Sequence, residues 1–489
     1  MVTVTNTDNL PRVTTIINDG GLRIAPPEAG PKITLLGTTT STGIGVREIF
    51  LVDNAPKAIR NLRHANGAPS ELSIAVEEAI VAGATNIEVM KIATESGELD
   101  GYTDWRRYDD LGEAYDTLLH QPVDVVAPVG AYIDATGVDT GTDTFGNSRT
   151  NLAKQLANFC YQSTKEHNTA FGVIGLRPVL ETARMEAWTG ATPAAQATAT
   201  GSWFGTPTLA QVKEWVNHAI QESGALRDHS TEDYFLDYLL GSVEDSPGVV
   251  SSTYQSQWTA LESDGSSATD NNALWVDAGQ YISVIAAPNR YYGSEAELFA
   301  VKQGVTGVKY VNGNGATAYG AKLSALDPHI AATNKTLGGQ RAARAVSSSQ
   351  GRSLLRHRLV SMISKSTGYV VTSAISGAHN ASAYTRSDFV RVSTVRITHA
   401  VADVVRQRGE PFIGSPISGP FLSALETEIE SSLIRIQKTG ALRQFDFSIV
   451  SSPDQQVLGE IDINLSIVPG FELVTINSII SLTKGEGIG

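Results

Sequence analysis

Lys32-Ile-Thr-Leu-Leu-Gly37 is a short apolar run closed by glycine, and it reads as a buried strand. Between it and a second such run, Asn86-Ile-Glu-Val-Met-Lys-Ile92, lies a helical stretch from Ser70 to Ala82, with Ser70 placed to cap it and Glu71 close behind. Strand, helix, strand is the repeating unit of a layered α/β domain. The alternation continues downstream. Asp110 to Leu119 reads as helix, Val123-Asp-Val-Val-Ala-Pro128 as strand, Asn151 to Lys165 as helix and Ala170-Phe-Gly-Val-Ile-Gly175 as strand. Upstream, Arg12-Val-Thr-Thr-Ile-Ile-Asn18 has strand character and ends at Asp19-Gly20-Gly21, with little around it to build a core.

From Glu186 to Asn272 the texture turns to Ala, Thr, Ser and Gly, with Trp188, Trp203, Trp215 and Trp258 spread through it, as in an elaborated insertion. Tyr281-Ile-Ser-Val-Ile-Ala-Ala287 returns as a strand and Thr317 to Leu326 as a small-residue helix. From Ser347 the pattern is helix, then Tyr369-Val-Val-Thr-Ser-Ala-Ile375 as strand, two further helices and a β-rich end, a second domain of α+β type. At 100° per residue, Ile397, Ala400, Val401, Val404 and Val405 share one side of the first of these helices, against Arg396, His399, Asp403 and Arg406. That opposite side is read as a cationic face. In the second helix Phe421, Leu422, Leu425, Ile429, Leu433 and Ile436 oppose Glu426, Glu430 and Lys438, and Gly440 ends it. Phe445, Phe447 and Ile449 alternate with polar residues, as do Ile461, Ile463, Leu465 and Ile467, which is the pattern of paired, half-buried strands. Beyond Pro469, Phe471 to Leu482 is again strand-like.

The 489 residues suggest two to four domains, given about 100–200 residues each. With 41% hydrophobic and 18% charged residues, the chain has material for real cores. Cys160 is the one cysteine, so an intrachain disulfide and a two-cysteine zinc site are excluded. No apolar run approaches the roughly 18 residues of a membrane span, and the N-terminus lacks the features of a signal peptide, so a soluble protein made in the cytoplasm is expected. The net charge of −14 argues against nucleic acid or an acidic membrane as partner. It is unevenly spread: residues 341–408 carry 11 basic side chains against Asp388 and Asp403, inside an otherwise acidic chain. Such a segment is either a solvated or internally paired face, or the contact for an acidic partner.

No Gly-Lys pair supports a P-loop, and no His-Glu-x-x-His or Gly-x-Ser-x-Gly occurs. Gly37-Thr-Thr-Thr-Ser-Thr-Gly43-Ile-Gly45 follows a strand and has the composition of an anion cradle, but it lacks the lysine and reads better as a strand-ending loop. Asn312-Gly-Asn-Gly315 is a weaker version of the same thing. Asp134, Asp139 and Asp143 miss the calcium-loop spacing, and His329 and His357 read as surface or interface groups. No cofactor or metal is expected.

Leu326-Asp-Pro-His-Ile-Ala-Ala-Thr-Asn-Lys335, Gln350-Gly-Arg-Ser-Leu-Leu355, Gly368-Tyr-Val-Val-Thr-Ser-Ala374, Tyr384-Thr-Arg-Ser-Asp-Phe-Val-Arg-Val-Ser393, Pro411-Phe-Ile-Gly414 and Lys438-Thr-Gly-Ala-Leu442 follow one another in an order and spacing that resembles the tail sheath protein of contractile-tailed bacteriophages and related phage-tail-like injection systems. The similarity is strongest over about 315–470 and fainter over 30–180. It implies a multidomain fold, α/β plus α+β: a non-catalytic, subtilisin-like α/β scaffold with an inserted outer domain, and a C-terminal inner domain with strand-exchanging arms. The expected divisions are an N-terminal arm at 1–20, the α/β domain at 21–185 and 273–345, the outer domain at 186–272, the tube-facing inner domain at 346–469 and a C-terminal arm at 470–489.

The implied role is a structural virion protein, not an enzyme. It would stack as hexameric rings around the tail tube and contract to drive the tube through the host envelope, with itself, the tube protein, baseplate and tail terminator as partners and assembly in the host cytoplasm. Neither nucleic acid nor direct membrane insertion is implied. Arg391, Arg396, Arg406 and Arg408 are the expected tube-facing residues, and Val13, Ile16, Ile17, Leu473, Ile476 and Ile479 the expected intersubunit strand residues. A serine hydrolase and a non-contractile shell or surface-array protein are the alternatives.

Overall fold

The computed structural model describes residues 31–94, 104–119, 121–133, 152–166, 168–176, 244–246, 249–250, 278–287, 289–302, 304, 307–313, 315–343, 351, 355, 358–378, 388–458 and 461–473. Val13, Ile16, Ile17, Ile476 and Ile479, the tryptophans of the insertion, Asp134, Asp139, Asp143 and His357 lie outside the described residues.

The first half of the body contains β1 (Ile33–Thr38), β2 (Ile49–Leu51), α1 (Ala55–Leu62), α2 (Glu71–Ala82), β3 (Ile87–Ala93), α3 (Asp104–Leu118), β4 (Val125–Pro128), β5 (Tyr132–Ile133), α4 (Leu152–Glu166) and β6 (Phe171–Leu176). A small pair, β7 (Glu244–Ser246) and β8 (Val249–Val250), precedes β9 (Ile282–Ile285), β10 (Asn289–Tyr291), α5 (Ser294–Lys302), β11 (Val311–Gly313) and α6 (Ala316–Ser324). Then come β12 (Thr336–Leu337), β13 (Gln340–Ala342), β14 (Leu359–Val360), β15 (Met362–Lys365) and β16 (Gly368–Val371).

An eight-stranded sheet runs β14-β9-β6-β4-β1-β3-β2, with β5 alongside β6. Its pairings are parallel except at one edge, where β2 lies antiparallel on β3. A parallel sheet needs cover on both faces, which is why its strands are apolar runs and all of β1 is buried. Leu35 faces a core shared with Leu62 of α1, Leu72 and Val76 of α2 and Tyr319 of α6. Leu36, its neighbour, faces the opposite core with Leu111 of α3 and Leu156 and Cys160 of α4. Gly172 lets α4 lie directly on β6, since a Cβ there would stand 2.6 Å from Cγ of Leu156. Ser70 caps α2 as expected, accepting from the Ser73 amide. The reciprocal partner is the Ser73 hydroxyl, while Glu71 accepts from Thr38.

The body continues past residue 345. β14 joins the main sheet beside β9, and Met362, Tyr369, Val371 and Ala374 pack into the same core as β1. Tyr369–Ile375, expected on the far side of a boundary at 345/346, packs on the same core as β1, because an apolar run does not by itself say which core it joins. The C-terminal unit consists of α7 (Val392–Gly409), α8 (Gly419–Lys438), β17 (Leu442–Val450), α9 (Pro453–Leu458) and β18 (Asp462–Pro469). Its core gathers Ile397 and Val401 of α7 with Leu425, Ile429 and Leu433 of α8 and Leu442 of β17. Val392 and Val395, in the first turn of α7, lie in the body core instead.

Candidate functional site

β17 and β18 pair antiparallel with Phe445 opposite Ile467, Phe447 opposite Leu465 and Ile449 opposite Ile463. These six half-buried side chains pack on the α8 core, as the period of two requires. The other face, with Asp446, Ser448, Asp462, Asn464 and Ser466, is exposed. Among the described residues the two strands pair only with each other, so each keeps an outer edge of backbone donors and acceptors. The amide of Gly470 closes the base of the hairpin on the carbonyl of Ala441 at 2.7 Å. The chain then alternates. Phe471 and Leu473 are 63% and 76% exposed, while the Glu472 side chain between them turns inward to Nε of Arg391 at 3.9 Å.

The polar side of α7 faces the body. Arg396 donates from Nη2 to the carbonyl of Leu326 at 2.7 Å and from Nη1 to that of Asp327 at 3.4 Å. His399 stacks on Tyr281, ring centroids 5.8 Å apart and planes 19° from parallel. Asp403 accepts from the amide of Thr169 at 3.4 Å and from its hydroxyl. Arg406 donates to the carbonyl of Thr164 and lies 3.8 Å from Asp403. Beneath the helix, Asp124 accepts from the Lys32 amide at 2.8 Å.

Burial sets the electrostatics of this seam. It lowers the pKa of Arg396 to about 10, with Tyr319, Asp124 and Asp327 pulling the other way. Burial, reinforced by the positive charges of Arg396 and Arg406, holds His399 down at about 3. Asp403 and Asp124 are raised by burial, against the Thr169 bonds and Arg406 in one case and the Lys32 amide in the other.

Arg396, expected among the tube-facing residues, is 7% exposed in the chain and spends its guanidinium on the carbonyls of Leu326 and Asp327. The face is polar because it meets body carbonyls and Thr169. Arg391 and Arg406 keep 39% of their side chains exposed but hold intrachain partners, and Arg408 is half-buried. Glu426 and Glu430 are exposed on α8, and the partners found for the arginines lie elsewhere. The sequence held a signal for this. The polar residues of α7 include Arg396, Arg406 and Arg408 but no lysine, and a planar guanidinium suits carbonyl recognition in a buried joint better than an ammonium does.

The loop after β1 is occupied by its own structure. Thr39 donates to the Leu62 carbonyl, Ser41 to that of Asn61, Thr40 meets His64, and Lys91 reaches the Ser41 carbonyl at 2.6 Å. Its hydroxyls hold the loop on α1, in keeping with a strand-ending loop. Gly315 serves as the helix cap of α6 with φ of 76°. Among the described residues no group of His, Cys, Asp and Glu has metal-site geometry, and no helix is long and apolar enough to cross a membrane.

No family model and no curated protein matches this sequence. Solved structures do match. The anti-feeding prophage (AFP) helical sheath in its contracted state superposes with a TM-score of 0.53 at 11% identity, covering 99% of this chain and 100% of the other. The chain shares the fold of contractile tail sheath proteins. The contracted PVC sheath of an extracellular contractile injection system gives 0.52 at 8% identity over 99% of both chains. The sheath tail protein of Listeria innocua gives 0.50 at 9% identity, over 91% of this chain and 93% of that one. At such identities the sheath fold is shared through its layers and their order rather than through individual side chains.

Proposed function

We propose that the chain is the structural subunit of a contractile tail sheath, stacking as hexameric rings around a tail tube and contracting to drive that tube through a host envelope. The observation that carries this is the end-to-end match in fold to a contracted sheath subunit, over 99% of this chain and 100% of the other. The hairpin supports it, since the open edges of β17 and β18 are natural acceptors for strands from neighbouring subunits. The strand-like termini at 1–20 and 470–489 are the arms that would supply those strands, with Leu473 among the docking side chains. The body acts as a subtilisin-like scaffold without catalysis, and 186–272 forms an outer domain.

Arg391, Arg406 and Arg408 remain the tube-facing set, in a C-terminal unit that begins on α7. Tube, baseplate and terminator proteins are the partners, in a particle assembled in the host cytoplasm. Electron microscopy of the purified polymer tests this: helical tubes with six-fold rings are expected, in a long form on the tube and a short, wide form without it. Unpolymerised protein at high concentration, or labelling by a serine-reactive probe, would remove the reading.

A further inference from the structure

We propose that the C-terminal unit is a lever turning on α7, held at its resting angle by the Asp403–Thr169 and Arg406–Thr164 contacts. Val395 belongs to the body core and Ile397 to the C-terminal core, so apolar packing changes sides within one turn of a single helix. Beyond that turn, the hydrogen bonds and ring contacts described between α7 and the body involve Arg396, His399, Asp403 and Arg406. Polar contacts of this kind exchange with water, and a joint without a large apolar interface moves by default.

The seam also has room. A cleft of about 780 Å³ separates Asp124 and Thr169 of the body from Phe412, Phe421 and Ile463 of the C-terminal unit, and Asp403 and Arg406 line it. Buried Arg396 marks the fulcrum. Asp403 stands about two turns further along, roughly 10 Å at the helical rise, so a rotation of about 10° shifts it by about 2 Å and parts its hydrogen bonds. The lever is a property of the single chain and does not rest on the sheath assignment.

The full chain in dilute, unassembled form carries the test. Spin labels at Gln121→Cys and Ser431→Cys, both exposed positions, report across the seam, while native Cys160 is fully buried and takes no label. Pulsed electron–electron distance measurement is expected to show a dominant distance with a minor second one. Thr169→Val, which removes the hydroxyl donor at constant volume, should raise the minor population by about tenfold. Asp403→Asn should act in the same direction if the first variant folds poorly. A pair within the body, Lys57→Cys with Gln121→Cys, should stay narrow throughout. One narrow distance across the seam that neither variant moves overturns the lever, and so does broadening of the body pair together with the seam pair.

Discussion

Arg396 of α7 donates to the carbonyl oxygen of Leu326 at 2.7 Å, and this bond helps make a helix face read as cationic into an internal joint. Truncating the side chain takes this donor from the Leu326 carbonyl, while that of Asp327 keeps the amide of Ile330 at 2.9 Å. Arg396→Met is therefore expected to cost about 1–3 kcal/mol of subunit stability by urea unfolding. Arg396→Glu, which buries an unpaired charge, should cost more, about 3–5 kcal/mol, and should fail to give folded protein rather than fail selectively at a tube. A folded Arg396→Glu subunit with the wild-type melt would contradict this placement.

His399 gives a pH signature. Its folded pKa of about 3 lies below the ordinary value of 6.5, so the unfolded chain takes up a proton before the folded one does. The stability it contributes is complete above pH 6.5 and is lost as pH falls towards 3, by at most about 1.4 kcal/mol per pH unit and less where water reaches the ring. His399→Phe keeps an aromatic ring against Tyr281 without the titration. Urea midpoints at pH 7.5 and 5 should show wild type losing ground to the variant. Asp403 and Asp124, raised by burial, gain in the opposite direction but are present in both proteins. Equal losses in the two would rule His399 out as the titrating group.

Phe471 and Leu473 are exposed, so Phe471→Asp with Leu473→Asp should change the subunit's unfolding free energy by no more than about 0.5 kcal/mol per site. Long sheaths should nonetheless be lost in micrographs, as they should after truncation at Pro469 or deletion of residues 1–18. Polymers of normal length from the double variant would place the intersubunit contact elsewhere.

Excising 186–272 with a short linker should leave sheath formation intact if that segment is an outer domain. Complete loss of polymer from an otherwise folded subunit would assign it to the contacts between subunits.

The periodicity of the chain made its elements readable more reliably than their neighbours. Lys32–Gly37, Asn86–Ile92 and Ala170–Gly175 fall on β1, β3 and β6 within a residue or two, because buried parallel strands are apolar runs with clear ends. The two faces of α7 were likewise legible. What lay against the polar one was not, since helical period separates residues by direction without saying whether water or a carbonyl waits there. For the same reason the sheet that β16 joins was not legible: strand character carries no address. The inward turn of Glu472 between Phe471 and Leu473 depends on Arg391, distant in sequence, and had no local mark.

The lengths of the sheet edges have a consequence for solubility. The body sheet ends in β14, of two residues, and β2, of three, whereas β17 and β18 run for nine and eight. Short edges offer few rungs for accidental cross-chain pairing, and long ones offer many. Among the described residues the long open strand edges are thus confined to one hairpin, so that crowding favours ordered pairing at that hairpin over amorphous pairing of body sheets.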